Sequence, residues 1–543
     1  MVCARGDSSS ARTCRYRLCH RPHARHRRIA LSGIMPRFVL GAPRGATRAA
    51  VVSYANSSDP RSIRRADFAD GSDRALRGFP MSGYRVRARP QQGRPALDTR
   101  LLIVPLLIAT AVAAAVALTL SAYLLNPLVM PLALLALIFV AVAVWRPVWG
   151  VALALLAVPL ELASLPVGGG ALSPGEGMLA LVGLAWLARL ALGRSSLPGR
   201  EDLPFLVLLG VVAAGLAIAP DPAPVGRVLV LWSLFFVVHL AARSFSAAER
   251  RLVVGAFLTG AGILGALGAV QYLASGETGL MAGGEVTGER AVGTFADANY
   301  FAALLLLALL PGVGLILSDL RRFAWLMLPA LGALGGVIFS LSRGGFLGLV
   351  AGLLVLLAWS RGRRAIAILV VAMVVAFALG QAPGADSGPL LVVGKRLSTL
   401  GGGPEVVRNR RPEIWRRARE IAVDNPALGV GVNQFSYEAA ARSLFERGAP
   451  LENAHSLPLS LAAETGLVGL AAFLVFLFQL FVRGFRALDQ AGEKGRGLAL
   501  GLLGALVAFS VQALTVVPVR TPVIMGAFLV VAGLVGPRHD RVS

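Results

Sequence analysis

Hydrophobic residues make up 56% of the 543-residue chain and charged residues only 15%, and the mean hydropathy is +0.70. This balance excludes a water-soluble globular protein of ordinary composition and indicates an integral membrane protein. The net charge is +24, and all three cysteines lie within the first 20 residues, which excludes disulfides and cysteine chemistry from the rest of the chain.

Residues 1–100 form an arginine-rich tail with few apolar residues. They contain 21 Arg, no Lys and 6 Asp, which accounts for +15 of the net charge. This composition predicts a disordered cytoplasmic tail. If translation started at Met35 or Met81 instead, only a short cytoplasmic segment would precede the first predicted span. Binding of the tail to nucleic acid or anionic lipid is the alternative; we expect the lipid bilayer, and no nucleic acid, as a partner. The tail lacks the apolar core and cleavage site of a secretory signal.

Beyond the tail, about fourteen apolar segments are long enough to cross a membrane, since a hydrocarbon core of about 30 Å needs about 20 residues of helix. The predicted fold class is therefore all-α: a polytopic integral membrane helical bundle of about 12–14 transmembrane helices. Helices 1–11 occupy residues 101–381, and helices 12–14 with a short cytoplasmic tail occupy residues 456–543. The segments run near residues 101–124, 127–145, 148–164, 177–192, 203–219, 227–242, 252–274, 296–317, 322–341, 344–360, 364–381, 456–482, 498–518 and 519–536.

The loops between these segments alternate in charge. Every second loop is basic, at residues 145–147, 193–202, 243–251, 318–323, 360–364 and 483–497. Because positively charged loops are retained in the cytoplasm, the intervening loops face outward and both termini are cytoplasmic.

One long hydrophilic segment, residues 382–455, is the exception, because the alternation places it outside although it is basic. Its cations are Lys395, Arg396, Arg408, Arg410, Arg411, Arg416, Arg417, Arg419, Arg442 and Arg447. A solvated charged loop is the simple interpretation. Positive charge outside opposes the insertion rule, however, and predicts an anionic partner.

The external loop is also predicted to be partly helical. In "RPEIWRRAREIAVDNP" an apolar stripe recurs at helical spacing, which predicts a helix that lies on the membrane surface or caps the bundle. The stripe consists of Ile414, Trp415, Ala418, Ile421 and Ala422. Asn425-Pro426 ends the helix, and Gly429 and Gly431 permit a tight turn back toward the bundle.

Three polar side chains then stand at the outer membrane boundary: Arg343, Arg411 and His455. A boundary arginine is often a snorkelling anchor, and a lone histidine is often structural. His239 is assigned a structural role, because the alternation places it near the cytoplasmic end of its span.

The combination of motifs is more specific than any single residue. Arg-x-x-x-Trp at 411–415, "NPALGVGVNQF" at 425–435, "AHS" at 454–456 and Gly466 together resemble the O-antigen ligase and polymerase superfamily of polytopic membrane proteins. "VGTFADANYFAALLLLALLPG" at 292–312 and "SRGG" at 342–345 are similar to the mid-chain motifs of that family. The resemblance covers roughly residues 145–536, and the first 100 residues have no counterpart.

The resemblance implies a membrane glycosyltransferase in the bacterial cytoplasmic (inner) membrane. Members move a glycan from an undecaprenyl diphosphate carrier to an acceptor hydroxyl on the outer face. Arg343 and Arg411 would then bind the diphosphate, and neutral His455 would act as general base. Direct attack would invert the anomeric carbon. We expect no cofactor and no metal, because the outward loops lack a ligand cluster.

Further residues are assigned supporting roles. Asp297 and Asn299 could orient substrate, although an N-cap is the favoured role for Asp297. Glu464 could orient His455, but nine residues of helix would put it on the opposite face. Arg410, Trp415 and Ser456 complete the predicted site.

Several functions remain open at this level. Within the superfamily, ligation, polymerisation and protein O-glycosylation compete, so the acceptor is a glycan, a lipid or a protein. A transporter or flippase for an anionic substrate is the alternative from another class, but transporters place ionisable groups near the bilayer midplane. A non-catalytic scaffold for envelope assembly is the third possible function.

Overall fold

The computed structural model describes residues 129–161, 165–167, 170–192, 198–275, 290–357, 367, 411–441 and 453–536. The tail at 1–100, the predicted spans at 101–124 and 364–381, and residues 382–410 and 442–452 of the predicted external loop lie outside the described residues. Arg410 is among them.

The described residues are almost entirely helical, which confirms the all-α membrane bundle. The α-helices are α1 (Val129–Trp145), α2 (Pro147–Leu156), α3 (Pro174–Ala191), α4 (Leu203–Ile218), α5 (Pro222–Arg243), α6 (Ala247–Ser275), α7 (Ala298–Ser318), α8 (Leu320–Phe323), α9 (Met327–Phe339), α10 (Arg343–Leu357), α11 (Arg411–Asp424), α12 (Phe435–Ala441), α13 (Leu457–Gln490), α14 (Glu493–Ala513) and α15 (Pro522–Leu534). A small antiparallel ribbon, β1 (Leu165–Val167) and β2 (Gly170–Leu172), precedes α3, with Leu165 opposite Leu172.

Seven helices of the described part are long and apolar enough to cross a membrane, and others that coincide with predicted spans are shorter. Several predicted boundaries were wrong because hydropathy drops at charged residues while helical hydrogen bonding continues. Helix α13 continues to Gln490, through "RGFRALDQ", which was predicted to be loop. Helix α5 begins at Pro222 rather than 227, where the Asp221 carboxylate caps it by accepting the Ala223 N–H at 3.0 Å.

Helix α7 is the centre of the bundle. Its sequence is apolar on every face, and almost all of it is buried among α6, α9, α10 and α14. Helices α6 and α9, which pack beside it, approach through glycines: a Cβ at Gly265 would lie 2.4 Å from the Gly332 carbonyl oxygen. Small residues at such contacts allow the close helix packing that membrane bundles use.

The described parts of three predicted basic loops, at residues 198–202, 243–251 and 483–497, meet at one end of the bundle, which we call the basic end. Arg243, the last residue of α5, donates to both carboxylate oxygens of buried Asp202 at 2.6 and 2.5 Å. Arg250 donates to the carbonyl oxygens of Leu534 and Gly536. These contacts join loops that the charge pattern assigns to the same side.

His239 also belongs to the basic end, and it is fully buried. Its Nδ1 lies 3.1 Å from the Leu529 carbonyl oxygen, and its Nε2 lies 3.7 Å from Asp202 Oδ1. These contacts fit the structural role expected for His239. The His239 ring belongs to the basic end, whereas His455 belongs to the opposite end of the bundle.

The other end, which we call the site end, gathers the beginnings of α5, α7, α10, α13 and α15. The α4–α5 connection contacts the segment after α11: Gln434 Nε2 donates to the Asp221 carbonyl oxygen at 2.8 Å, and Tyr437 Oη donates to Asp221 Oδ2 at 3.2 Å. Both segments were predicted to be external, and the structure brings them to the same end.

Replacing Asp202 with Ala should destabilise the basic end. The change removes a fully buried carboxylate from Arg243, whose guanidinium keeps Glu201 as a partner, so the free energy of unfolding should fall by about 1.5–3 kcal/mol. Thermal unfolding of the purified chain in detergent measures the loss. Asp489→Ala, at an exposed position on α13, is the control and should leave the midpoint unchanged. Equal midpoints for the two variants would contradict a stabilising role for this cluster.

Candidate active site

The first turn of α7 organises the site end. The Asp297 side chain caps the helix and accepts the N–H groups of Asn299 at 2.6 Å and Tyr300 at 3.2 Å. The N-cap role expected for Asp297 is therefore confirmed. The cap fixes the direction of the next side chains, which contact two separate motifs.

Asn299 holds the turn that leads into α10. Its Oδ1 accepts the Ser342 hydroxyl at 2.8 Å and Arg290 Nη2 at 3.1 Å, and its carbonyl oxygen accepts Gln512 Nε2 at 2.9 Å. The Ser342 hydroxyl also accepts the Gly345 N–H at 3.1 Å, which fixes the start of α10. The side chain of Asn299 thereby positions Arg343, the first residue of α10.

Tyr300 holds the segment that carries His455. Its hydroxyl accepts Asn453 Nδ2 at 3.3 Å, and Asn453 Oδ1 in turn accepts the His455 N–H at 2.8 Å. His455 is half-buried with φ +47°, so it stands in a turn ahead of α13 rather than on the helix. The prediction that a continuous helix links His455 to Glu464 was wrong, and the helical-face argument does not apply.

Arg411, the first residue of α11, completes the group. Burial lowers the pKa of its guanidinium, repulsion from Arg343 lowers it further, and attraction to Asp297 opposes both. The two arginines therefore lie within electrostatic reach of each other, and Arg411 also lies within reach of the Asp297 carboxylate, which caps α7. Two guanidinium groups this close to each other can bind an anionic ligand together.

Helix α11 caps the bundle through the predicted apolar stripe. Ile414, Ala418 and Ile421 are buried in a cluster with residues of the following turn, α12 and α13. Trp415 is half-buried, and its indole N–H has no acceptor among the described residues, so the indole can donate a hydrogen bond to a ligand.

The glycine-rich turn after α11 docks on a break in α13. Gly466 lies inside α13 with φ +66° and ψ −174°, a conformation essentially restricted to glycine. The break allows the Ala463 and Glu464 carbonyl oxygens to accept the N–H groups of Val430 at 3.0 Å and Gly431 at 2.9 Å. The Leu467 N–H donates in return to the Pro426 carbonyl oxygen at 2.7 Å. The beginning of α13 thus connects His455 to the break at Gly466, on which the glycine-rich turn docks.

The other predicted residues have supporting positions. Ser456 is buried at the N-cap of α13, where its carbonyl oxygen accepts the Ser460 N–H. Glu464 Oε1 accepts the Phe435 N–H at 3.3 Å and lies 3.9 Å from Arg520 Nη1, so it braces the docked turn. Its predicted role in orienting His455 stays a prediction.

Sequence reasoning missed Arg290, Tyr300, Asn453 and Gln512. Asn453 stands two residues before His455, and Tyr300 directly follows Asn299, so proximity in sequence to the motifs was the available signal for these two. Arg290 and Gln512 come from distant segments, and no pattern in the sequence connects them to Asn299.

Among the described residues, no group of three or more His, Cys, Asp or Glu side chains is placed to hold a metal ion. The expected metal independence stays a prediction. What the site offers chemically is two guanidiniums and one imidazole around the first turn of α7, with the Trp415 indole N–H on α11.

A family model described as O-antigen ligase matches residues 328–474. The match runs from α9 to the middle of α13 and therefore includes Arg343, Arg411, His455 and Gly466. No curated protein matches the chain. The family match confirms the superfamily resemblance that the motifs indicated.

Replacing Gly466 with Ala should disrupt the docked turn. A Cβ there would lie 2.2 Å from the Ala427 carbonyl oxygen, and the backbone conformation disfavours any side chain. We expect the free energy of unfolding to fall by about 2–4 kcal/mol, measured as a lower thermal midpoint. The matched control is Gly210→Ala on exposed α4, where an added Cβ meets nothing within 4 Å. A Gly466→Ala midpoint as high as the control would rule out the docking role.

Proposed function

Because residues 328–474 carry an O-antigen ligase domain, we propose that this membrane enzyme transfers a glycan from an undecaprenyl diphosphate carrier to an acceptor hydroxyl. The reaction takes place at the outer face of the bacterial cytoplasmic membrane. The observation that supports it most strongly is the convergence of two arginines and one histidine on the first turn of α7.

The arginines bind the donor. A lipid diphosphate is an anion held at the membrane surface, and guanidinium groups bind its oxygens in bidentate pairs. Burial and repulsion from Arg343 lower the pKa of the Arg411 guanidinium, and a diphosphate bound between the two arginines would reduce this repulsion. They stabilise the charge that grows on the diphosphate as the glycosidic bond breaks.

His455 activates the acceptor. A sugar hydroxyl is a poor nucleophile until its proton is removed, and neutral imidazole is a suitable base near neutral pH. The hydroxyl proton passes to the imidazole, the oxygen attacks the anomeric carbon, and undecaprenyl diphosphate leaves with the electron pair of the broken bond. Attack opposite the leaving group inverts the anomeric configuration, and the step requires no metal.

Secondary transport is less well supported. A transporter for an anionic substrate would place ionisable groups near the middle of the bilayer. The central helix α7 carries no charged residue from Ala298 to Ser318, and the charged groups of the site lie at its beginning.

Cells that depend on this protein for surface glycan should lose the product when the site is altered. We expect His455→Ala to lower transfer by about 100- to 10,000-fold, and Arg343→Ala and Arg411→Ala by about 100- to 1,000-fold. Lipid-linked glycan should accumulate in all three. Arg419→Ala, an exposed arginine on the same helix as Arg411, is the matched control and should keep the wild-type product level. Normal glycan in the His455 and Arg343 variants at matched expression would refute the assignment.

The proposed orientation places α11 outside the cell. A cysteine at Val423, which is 75% exposed on α11, should react with a membrane-impermeant maleimide in intact cells. A cysteine at Asp489, exposed on the last turn of α13, should react only after the membrane is permeabilised. Both variants carry serine at the three native cysteine positions. The reverse pattern of labelling would place the site in the cytoplasm, away from the proposed outer-face acceptor.

A further inference from the structure

A polar cavity opens at the site end, on a different face of α13 from α11. Its volume is about 340 Å³, and it lies between α5, α13 and the segment 517–522 that leads into α15. Leu457, Ser460, Leu461 and Glu464 form its α13 wall, while Leu459 and Ala463 pack on the cluster beneath α11. The proposed mechanism uses none of the cavity residues.

The charges of the cavity are balanced. Two arginines and two carboxylates line it: Asp221, Arg227, Glu464 and Arg520. Arg227 lies 3.8 Å from the Glu176 carboxylate, and Arg520 lies 3.9 Å from Glu464. An anion gains little where each cation already has a counter-ion, whereas alternating donors and acceptors suit a neutral polyhydroxyl ligand.

The Ser460 hydroxyl supplies an independent indication of a ligand. Other hydroxyls inside helices of the bundle donate to the carbonyl four residues earlier, as Thr465 of the same helix does to Leu461 and Ser510 of α14 does to Leu506. Ser460 is 2% exposed and lines the cavity, yet its Oγ has no hydrogen-bond partner among the described residues. A buried hydroxyl without a partner costs free energy that a bound hydroxyl group would offset.

The rest of the wall is apolar and includes the buried ring of Trp232. The C–H face of a sugar ring packs on such a wall while its hydroxyls reach the polar rim. The volume is at the small end of the range for ligand pockets, about 300–1,000 Å³, which suits about one or two sugar rings. Asn433, from the glycine-rich turn, also lines the cavity and joins it to the docked segment.

We infer that the cavity between α5, α13 and residues 517–522 is a saccharide-binding subsite. The inference rests on the proposed function, because the sugar then belongs to one of two substrates: the glycan of the lipid-linked donor or the glycan that accepts it. In both cases, the balanced cavity binds sugar and the positively charged site at Arg343 and Arg411 binds the diphosphate.

Cysteine protection in the full chain tests the subsite. In a background with serine at the native cysteine positions, one variant carries Ala223→Cys at the cavity mouth and another carries Val423→Cys on α11 as a control for non-specific protection. Three probes compete with maleimide: undecaprenyl diphosphate, the cells' lipid-linked glycan, and the free glycan released from that pool by mild acid. We expect a glycan-bearing probe to slow labelling at Ala223→Cys, and undecaprenyl diphosphate alone to have no effect there.

Ser460→Ala should raise the concentration of glycan that gives half-protection by about tenfold. Ser318→Ala, a buried serine at the opposite end of α7, should leave it unchanged. In an Arg343→Ala background, protection that weakens identifies the donor as the source of the sugar, and protection that persists with free glycan identifies the acceptor. Each of these two results supports a saccharide subsite.

Protection by undecaprenyl diphosphate without sugar, or protection by no probe, would overturn the inference. The proposed function has a separate readout in the same preparation, through a cysteine at exposed Pro412 beside Arg411. If undecaprenyl diphosphate fails to protect that position, the donor site is wrong, whatever the result at Ala223→Cys.

Discussion

The site end depends on the first turn of α7. The Asp297 carboxylate caps the helix and lies near Arg411. The Asn299 carboxamide fixes the turn before Arg343, and the Tyr300 hydroxyl holds the segment before His455. The three motifs are separated by up to about 110 residues of sequence, yet each lies beside the beginning of one almost fully buried helix. A rigid helix beginning is suited to this task, because the cap fixes backbone and side-chain directions together.

The break in α13 provides the second support. A continuous helix would satisfy its own carbonyl groups and offer nothing to the loop, whereas the turn at Gly466 frees two carbonyl oxygens and one N–H for the segment after α11. The strained conformation is tolerated because three backbone hydrogen bonds and the apolar cluster beneath α11 fix it. The docked turn also forms part of the wall of the neighbouring cavity, through Val432 and Asn433.

The sequence predicted the elements of the site better than their connections. Apolar length located the spans, helical spacing located the buried stripe at Ile414, Ala418 and Ile421, and an acidic residue before a helix predicted the Asp297 cap. Hydropathy did not predict the ends of helices that continue past their apolar run into charged residues, as α13 does. Asn453, Arg290 and Gln512 could not be identified, because their importance arises only from contacts across the bundle. The turn conformation at His455 was also not predicted, since a positive φ ahead of the helix leaves no periodic pattern.

The distribution of charge links this fold to its chemistry. Arg343 and Arg411 lie within electrostatic reach of each other, while each arginine of the neighbouring cavity lies near a carboxylate, so one end of the bundle offers two sites of different preference. A structure of the full chain with undecaprenyl diphosphate bound in a lipid nanodisc tests this account most directly. It should show the phosphate oxygens within hydrogen-bond distance of the Arg343 and Arg411 guanidiniums. A diphosphate bound in the balanced cavity, or among the arginines of the basic end, would contradict the account.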